Sequence, residues 1–147
     1  MRTSFEPVDT AGVASRLRLG VTRLARRLRQ EAEAGISPSQ LSALATVERD
    51  GPMTMGDLCG VEHVQPPTMT RIVAALVEAG LLERWADPDD RRVSWVRITS
   101  RGARLLARAR SRKDAYLARR LRSLEPRELA LLEEAAGVLE RLVEERP

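Results

Sequence analysis

Gln65-Pro66-Pro67-Thr68-Met69-Thr70-Arg71-Ile72-Val73-Ala74-Ala75-Leu76-Val77-Glu78-Ala79-Gly80 is the most strongly patterned segment of the chain. Two adjacent prolines are compatible with a helix only in its first turn, where their missing N–H groups would have no intrahelical partner. Met69, Ile72, Val73, Leu76 and Val77 then recur at helical spacing, which predicts a buried stripe on a helix from about Pro66 to Ala79. Gly80 stands where a helix end favours a left-handed residue. With the stripe fixed, the opposite face presents Gln65, Pro67, Thr68, Thr70, Arg71 and Ala75.

Downstream, Leu82-Glu83-Arg84-Trp85 and Val93-Ser94-Trp95-Val96-Arg97-Ile98 each read as a strand. They flank the Asp- and Pro-rich turn chemistry of Ala86-Asp87-Pro88-Asp89-Asp90-Arg91, which predicts a β-hairpin with a polar, basic tip. Trp85 and Trp95 face each other across it, a pairing suited to stiffening the hairpin. Thr99 or Ser100 caps a long helix from about Arg101 to Leu124. Pro126 opens a last one to about Glu145, with Leu129, Leu132, Ala136, Leu139 and Val143 on one side.

Upstream, Thr54 caps a short helix through Leu58 to about Val61, with Asp57 completing a capping-box pattern. Asp50-Gly51-Pro52 is a turn. Ser37-Pro38-Ser39-Gln40 starts a helix carrying Leu41, Leu44 and Val47. Before it, Leu17, Val21, Leu24 and Leu28 form one stripe on a helix from about Val13 to Ala34, ended by Gly35, and Met1 to Thr10 reads as a frayed start. The fold class is therefore mostly α with a small β-hairpin.

Composition narrows the function. Of 147 residues, 43% are apolar and only 3% aromatic, so Leu, Val and Ala build the core, which suits helix packing. The net charge of +4 rests almost entirely on arginine, Lys113 being the sole lysine. Arginine forks onto phosphate and guanine edges. Cys59 and His63 are the only Cys and His, too few for a structural zinc site, so neither metal nor cofactor is expected. Cys59, beside Leu58, reads as a small buried hydrophobe without a resolving partner. His63 reads as a solvated turn residue. No apolar run approaches the ~20 residues of a membrane span, and the start lacks a signal-peptide core; a cytoplasmic protein is expected. The carboxylates fall in helix caps and surface pairs, and no Gly-rich phosphate loop occurs, so no enzyme is expected. The rival reading is a basic amphipathic module for a membrane surface or a protein partner, built on Arg16, Arg18, Arg23, Arg26, Arg27 and Arg29. Glu31 and Glu33 on that helix, and its lack of Trp or Phe, argue against it.

Three short helices followed by a hairpin is the layout of a winged helix-turn-helix, whose second helix lies in the DNA major groove. The exposed residues of the Pro66 helix suit that place. Gln pairs with adenine, Arg with guanine, and Thr reaches a phosphate or a thymine methyl. The helix N-terminus adds N–H groups for a phosphate. Arg91 and Arg92 sit at a tip that a wing would place in the minor groove. The plain alternative for the tip is a solvated turn with Arg92 paired to Asp89 or Asp90.

Asp90-Arg91-Arg92-Val93-Ser94-Trp95-Val96-Arg97-Ile98-Thr99 resembles the Asp-x-Arg wing signature of the MarR (multiple antibiotic resistance regulator) family of winged helix-turn-helix regulators, with Ile98-Thr99 in place of Leu-Thr. Pro66 to Val73, with Leu76 and Gly80-Leu81-Leu82-Glu83-Arg84, resembles that family's recognition helix and its exit into the wing. The resemblance implies a homodimeric, ligand-responsive regulator of transcription, commonly a repressor. It assigns Thr68, Thr70 and Arg71 to base or phosphate contacts and Arg92 to the minor groove. Gln65 stands where the family often has Ser, which changes both the helix cap and the base read there. Small aromatic or anionic effectors are implied between the dimerisation and DNA-binding regions.

The terminal stripes, Leu17/Val21/Leu24/Leu28 and Leu132/Leu139/Leu142/Val143, lie outside a small winged-helix core. Pairing with a second copy would bury them, and a two-fold dimer would read a pseudo-palindrome on double-stranded DNA. The expected organisation is a dimerisation helix over 1–36, a DNA-binding domain over 37–100 and dimerisation helices over 101–147.

Overall fold

The computed structural model describes residues 7–32 and 34–144. Met1 to Glu6, Glu33 and the expected helix end at Glu145 lie outside the described residues. The elements run α1 (Thr10–Ala32), α2 (Pro38–Asp50), β1 (Met53–Thr54), α3 (Met55–Glu62), α4 (Pro66–Glu78), β2 (Leu82–Ala86), β3 (Ser94–Ile98), α5 (Ser100–Leu121) and α6 (Pro126–Glu144). The chain divides into two compact units between Lys113 and Asp114.

The first unit holds the core. Ala43, Leu44 and Val47 of α2, Leu58 of α3, and Met69, Ile72, Val73 and Leu76 of α4 pack with Leu81, just before β2, with Leu82 and Val96 of the sheet, and with Leu106 of α5. Val77, expected in the α4 stripe, is 37% exposed. The three- and four-residue steps from Met69 to Leu76 already fill the inward sector, and Val77 falls beyond its edge.

The sheet is antiparallel in the order β1-β3-β2. Its inner strand β3 gains a neighbour that sequence patterning did not show: Met53 pairs with Val96 and Thr54 with Trp95. Two residues are too few to display alternation, and Thr54 ends the strand while capping the next helix.

Capping fixes the boundaries. Ser37 accepts from the Gln40 N–H at 3.2 Å while Gln40 Oε1 accepts from the Ser37 N–H at 2.9 Å, a complete capping box. Thr54 accepts from the Asp57 N–H, but the reciprocal half of that box is not formed among the described residues. Thr99 caps α5, accepting from the Gly102 N–H at 3.0 Å. Helix α5 stops at Leu121, short of the expected Leu124, because Ser123 and Leu124 bond in three-residue steps to Arg120 and Leu121, and Ser123 Oγ adds a bond to the Arg120 carbonyl. Glu125 then leads into α6, its N–H donating to Glu128.

Helix α1 buries only Ala32. Leu17, Val21 and Leu24 are exposed within one chain, and Leu28 is half-buried. In the second unit α6 buries nothing, and Leu129, Leu132, Leu139, Leu142 and Val143 are all exposed.

Candidate nucleic-acid interface

The entry to α4 is built by the end of α3. His63 takes a left-handed conformation, φ 53° and ψ 43°, and both its N–H and that of Val64 bond to the Cys59 carbonyl. A left-handed non-glycine residue costs about 1 kcal/mol, which the packing of Leu58, Val64 and half-buried Cys59 on the core offsets. His63 itself is exposed, and Cys59 packs as the small hydrophobe expected.

Gln65 is the N-cap of α4, with φ −68° and ψ 146°, and its side chain makes no cap bond. Pro66 and Pro67 have no N–H, so among the first three helical residues only Thr68 carries one. The phosphate cradle expected at this helix start is therefore reduced to a single donor of the first turn. Gln65, Pro67, Thr68, Thr70 and Arg71 are all exposed, as expected of a reading face, whereas Ala75 is half-buried. The Thr70 hydroxyl donates to the Pro66 carbonyl at 2.9 Å, so its proton is engaged within the helix. Arg71 has no acidic partner among the described residues.

Two aspartates build the wing tip. Asp87 Oδ1 accepts from the N–H groups of Asp89 and Asp90 at 2.9 and 3.0 Å, and Oδ2 accepts from the Trp95 indole N–H at 2.8 Å. These donors, the indole foremost, hold the Asp87 carboxyl below the usual aspartate range. Asp90 accepts from the Arg92 N–H at 3.1 Å and from both arms of its guanidinium at 3.0 and 3.1 Å, which lowers Asp90 in turn. The alternative pairing of Arg92 with Asp90 is thus the observed geometry. It does not withdraw the arginine: the Arg92 side chain is 91% exposed, its fork held at the tip by a neighbour two residues away. Arg91 projects beside it, exposed.

The outer face of the hairpin is stiffened by Trp85 and Trp95, directly paired with ring centroids 6.4 Å apart and 15° between planes. The Arg97 guanidinium lies 5.4 Å from the Trp85 ring centre and is paired with Glu83. The role of Asp87 was not legible beforehand: its Asp-Pro pair signalled a turn, but the indole that locks it lies eight residues on.

Beside α2, two grooves open. One of about 390 Å³ is lined by Arg26, Arg29, Gln30, Pro38 and Leu41 among others, and one of about 300 Å³ by Leu28, Arg29, Leu41, Ser42 and Lys113 among others. Among the described residues no helix is long and apolar enough to cross a membrane.

Residues 36–94, from the start of α2 to the return strand of the wing, match the MarR family model. An HTH-type transcriptional regulator of Mycobacterium tuberculosis is 41% identical over 138 residues, 93% of this chain and 96% of that one. The chain belongs to the MarR family. A transcriptional regulator protein from Pseudomonas aeruginosa PA01 superimposes with a TM-score of 0.82 at 32% identity, covering 96% of this MarR-family chain and all of the other. The fold is shared with an S. aureus MepR variant whose structure includes an oligodeoxyribonucleotide: TM-score 0.66, 19% identity, 89% of this chain and 96% of that one.

Proposed function

We propose that this MarR-family regulator binds double-stranded DNA sequence-specifically as a homodimer, with α4 in the major groove and the wing tip in the adjacent minor groove, acting in the cytoplasm as a ligand-responsive repressor. The observation that carries the reading is the pairing of two surfaces in one compact unit. The α4 face of Gln65, Pro67, Thr68, Thr70 and Arg71 has no packing duty, and the wing tip holds Arg92 outward on Asp90 with Arg91 beside it. Guanidinium groups at such a tip suit the potential of a narrow minor groove. Thr70, its hydroxyl proton engaged on the Pro66 carbonyl, suits a thymine methyl.

A dimer is supported by the apolar stripes. Leu17, Val21 and Leu24 on α1, and Leu132, Leu139, Leu142 and Val143 on α6, are exposed in a single chain. Water-facing leucine rows on two long helices are costly until a partner covers them. A small anionic or aromatic effector in the grooves beside α2 fits their mixed lining of leucine and arginine.

The test is a gel-shift titration with the DNA upstream of the protein's own gene. Binding that survives unrelated competitor DNA is expected. Failure of the wild type to retard that DNA at low salt defeats the reading.

A further inference from the structure

Helix α5 carries a charge pattern that the α4 face and the wing tip do not use. From Ser100 to Lys113 it holds six cations and no carboxylate. On one flank the cations are answered within the fold: Arg110 pairs with Glu48 of α2 at 2.6 Å, and Arg112 donates to the Ala32 carbonyl at 2.7 Å. Arg101, Arg104 and Arg108 are exposed and have no acidic partner among the described residues. At 3.6 residues per turn these three fall within about 60° of one another around the helix, well outside the arc of the buried Gly102, Leu106 and Ala109. Ala107 and Ser111, exposed beside them, are short, so a broad surface can approach the three guanidinium groups together.

Such a row disfavours the helix that carries it. Like charges three and four residues apart repel, and the first turn, where a carboxylate is favoured, has none. A bound anion relieves both, and the chemistry of the row selects the anion. The arginine fork takes phosphate oxygens in pairs. From Arg101 to Arg108 the helix rises about 10 Å, and a DNA strand presents one phosphate per about 3.4 Å of axis, so about three phosphates meet three arginines. The row also stands apart from the reading face. Arg101 lies against Gly80, where a Cβ would be 3.8 Å from its Cδ, just past the C-terminus of α4, whereas Gln65 opens the other end of that helix. The 13 residues of α4 span about 20 Å, against a major groove about 8.5 Å deep. A duplex entered by the N-terminal end of α4 leaves the row open to another.

We propose that Arg101, Arg104 and Arg108 form a second, sequence-independent face for the phosphate backbone of duplex DNA, separate from α4 and the wing. A protein seated on its operator then holds a second duplex segment on α5 and bridges the two. The inference rests on the DNA-binding reading above and adds a second nucleic-acid partner to it.

In the experiment, the upstream DNA is immobilised and saturated with full-length protein, and capture of a labelled, scrambled duplex is titrated over a salt series. One variant carries Arg101→Gln, Arg104→Gln and Arg108→Gln, and a second carries lysine at the same three positions. Both residue types are good helix formers, and melting temperatures and sedimentation check folding and assembly. Wild type is expected to capture the second duplex. The glutamine variant is expected to bind the upstream DNA as wild type does, yet to lose most of the capture, with a salt slope smaller by about 2.7, or about 0.9 for each of three phosphates. The lysine variant keeps the charge and is expected to keep most of the slope. The proposal is overturned if wild type captures no second duplex at low salt, if the glutamine variant captures it as wild type does, or if the lysine variant is as weak as the glutamine one. A glutamine variant that sediments as a monomer also overturns it, assigning the row to a contact with the glutamate-bearing α6 of a second copy. Absence of specific binding to the upstream DNA by wild type would overturn the DNA-binding reading itself; the row is then judged by scrambled-duplex binding of the same three proteins in solution.

Discussion

At the scale of single residues, the proposed interface gives its two arginines different labour. Arg92 is held at the wing tip by Asp90, where the proposal has it contribute charge, while Arg71 is exposed on the α4 face proposed to meet the bases. Replacing Arg92 by Ala is expected to weaken binding on all sequences and to lower the salt slope by about one phosphate equivalent, whereas Arg71→Ala also relaxes base preference. Binding isotherms on specific and scrambled duplexes over a salt series check this; equal losses on every sequence for both variants would contradict it. The reading face was legible because periodicity fixes which side of α4 is buried. The Thr70 hydroxyl's bond to the Pro66 carbonyl was not, since two rotamers of a threonine are equally consistent with its sequence position. One backbone residue matters as much. A Cβ on Gly102 would collide with the Leu81 carbonyl oxygen and lie 2.8 Å from Ile98 Cγ1. Gly102→Ala is expected to destabilise the protein by about 1–3 kcal/mol, read as a lower denaturation midpoint; an unchanged midpoint would show that α5 is not seated on the hairpin root as described.

At the scale of elements, the wing is a hairpin locked by one carboxylate. Asp87 accepts from Trp95 and from the backbone of Asp89 and Asp90, and its pKa is depressed for that reason. A depressed carboxyl stabilises the fold only while ionised. Its contribution is complete above the unfolded-chain value of about 3.9 and is lost as the pH falls through the lower folded value. The wing is therefore expected to loosen in acid, below about pH 4. Trp85 and Trp95 are the only tryptophans, so near-ultraviolet dichroism reports their stacking directly. Loss of that signal at low pH is expected, and loss already at neutral pH in Asp87→Asn; a pH-independent pair would contradict the lock. Both strands of the hairpin were legible from alternation and turn chemistry. Strand β1 was not, because a two-residue strand is defined only by its partner, and neither was the Ser42–Thr46–Glu62 cluster, which joins residues sixteen and twenty positions apart.

At the scale of the whole molecule, the proposed DNA-binding mode depends on a second copy. The stripes of α1 and α6 were legible as apolar rows, and their exposure in one chain is what a dimerisation surface would present. Introducing charge there, as Leu24→Arg with Leu139→Arg, is expected to give a monomer by sedimentation and to weaken DNA binding by far more than either half-site contact accounts for; a dimer that persists would place its interface elsewhere. Two-fold, sequence-specific DNA binding is tested by selection of duplexes from a random pool by the wild-type protein. Enrichment of a pseudo-palindrome whose half-sites lie about one helical turn, roughly 10 base pairs, apart is expected. A pool that stays random after repeated rounds, with retention set by salt alone, would contradict it.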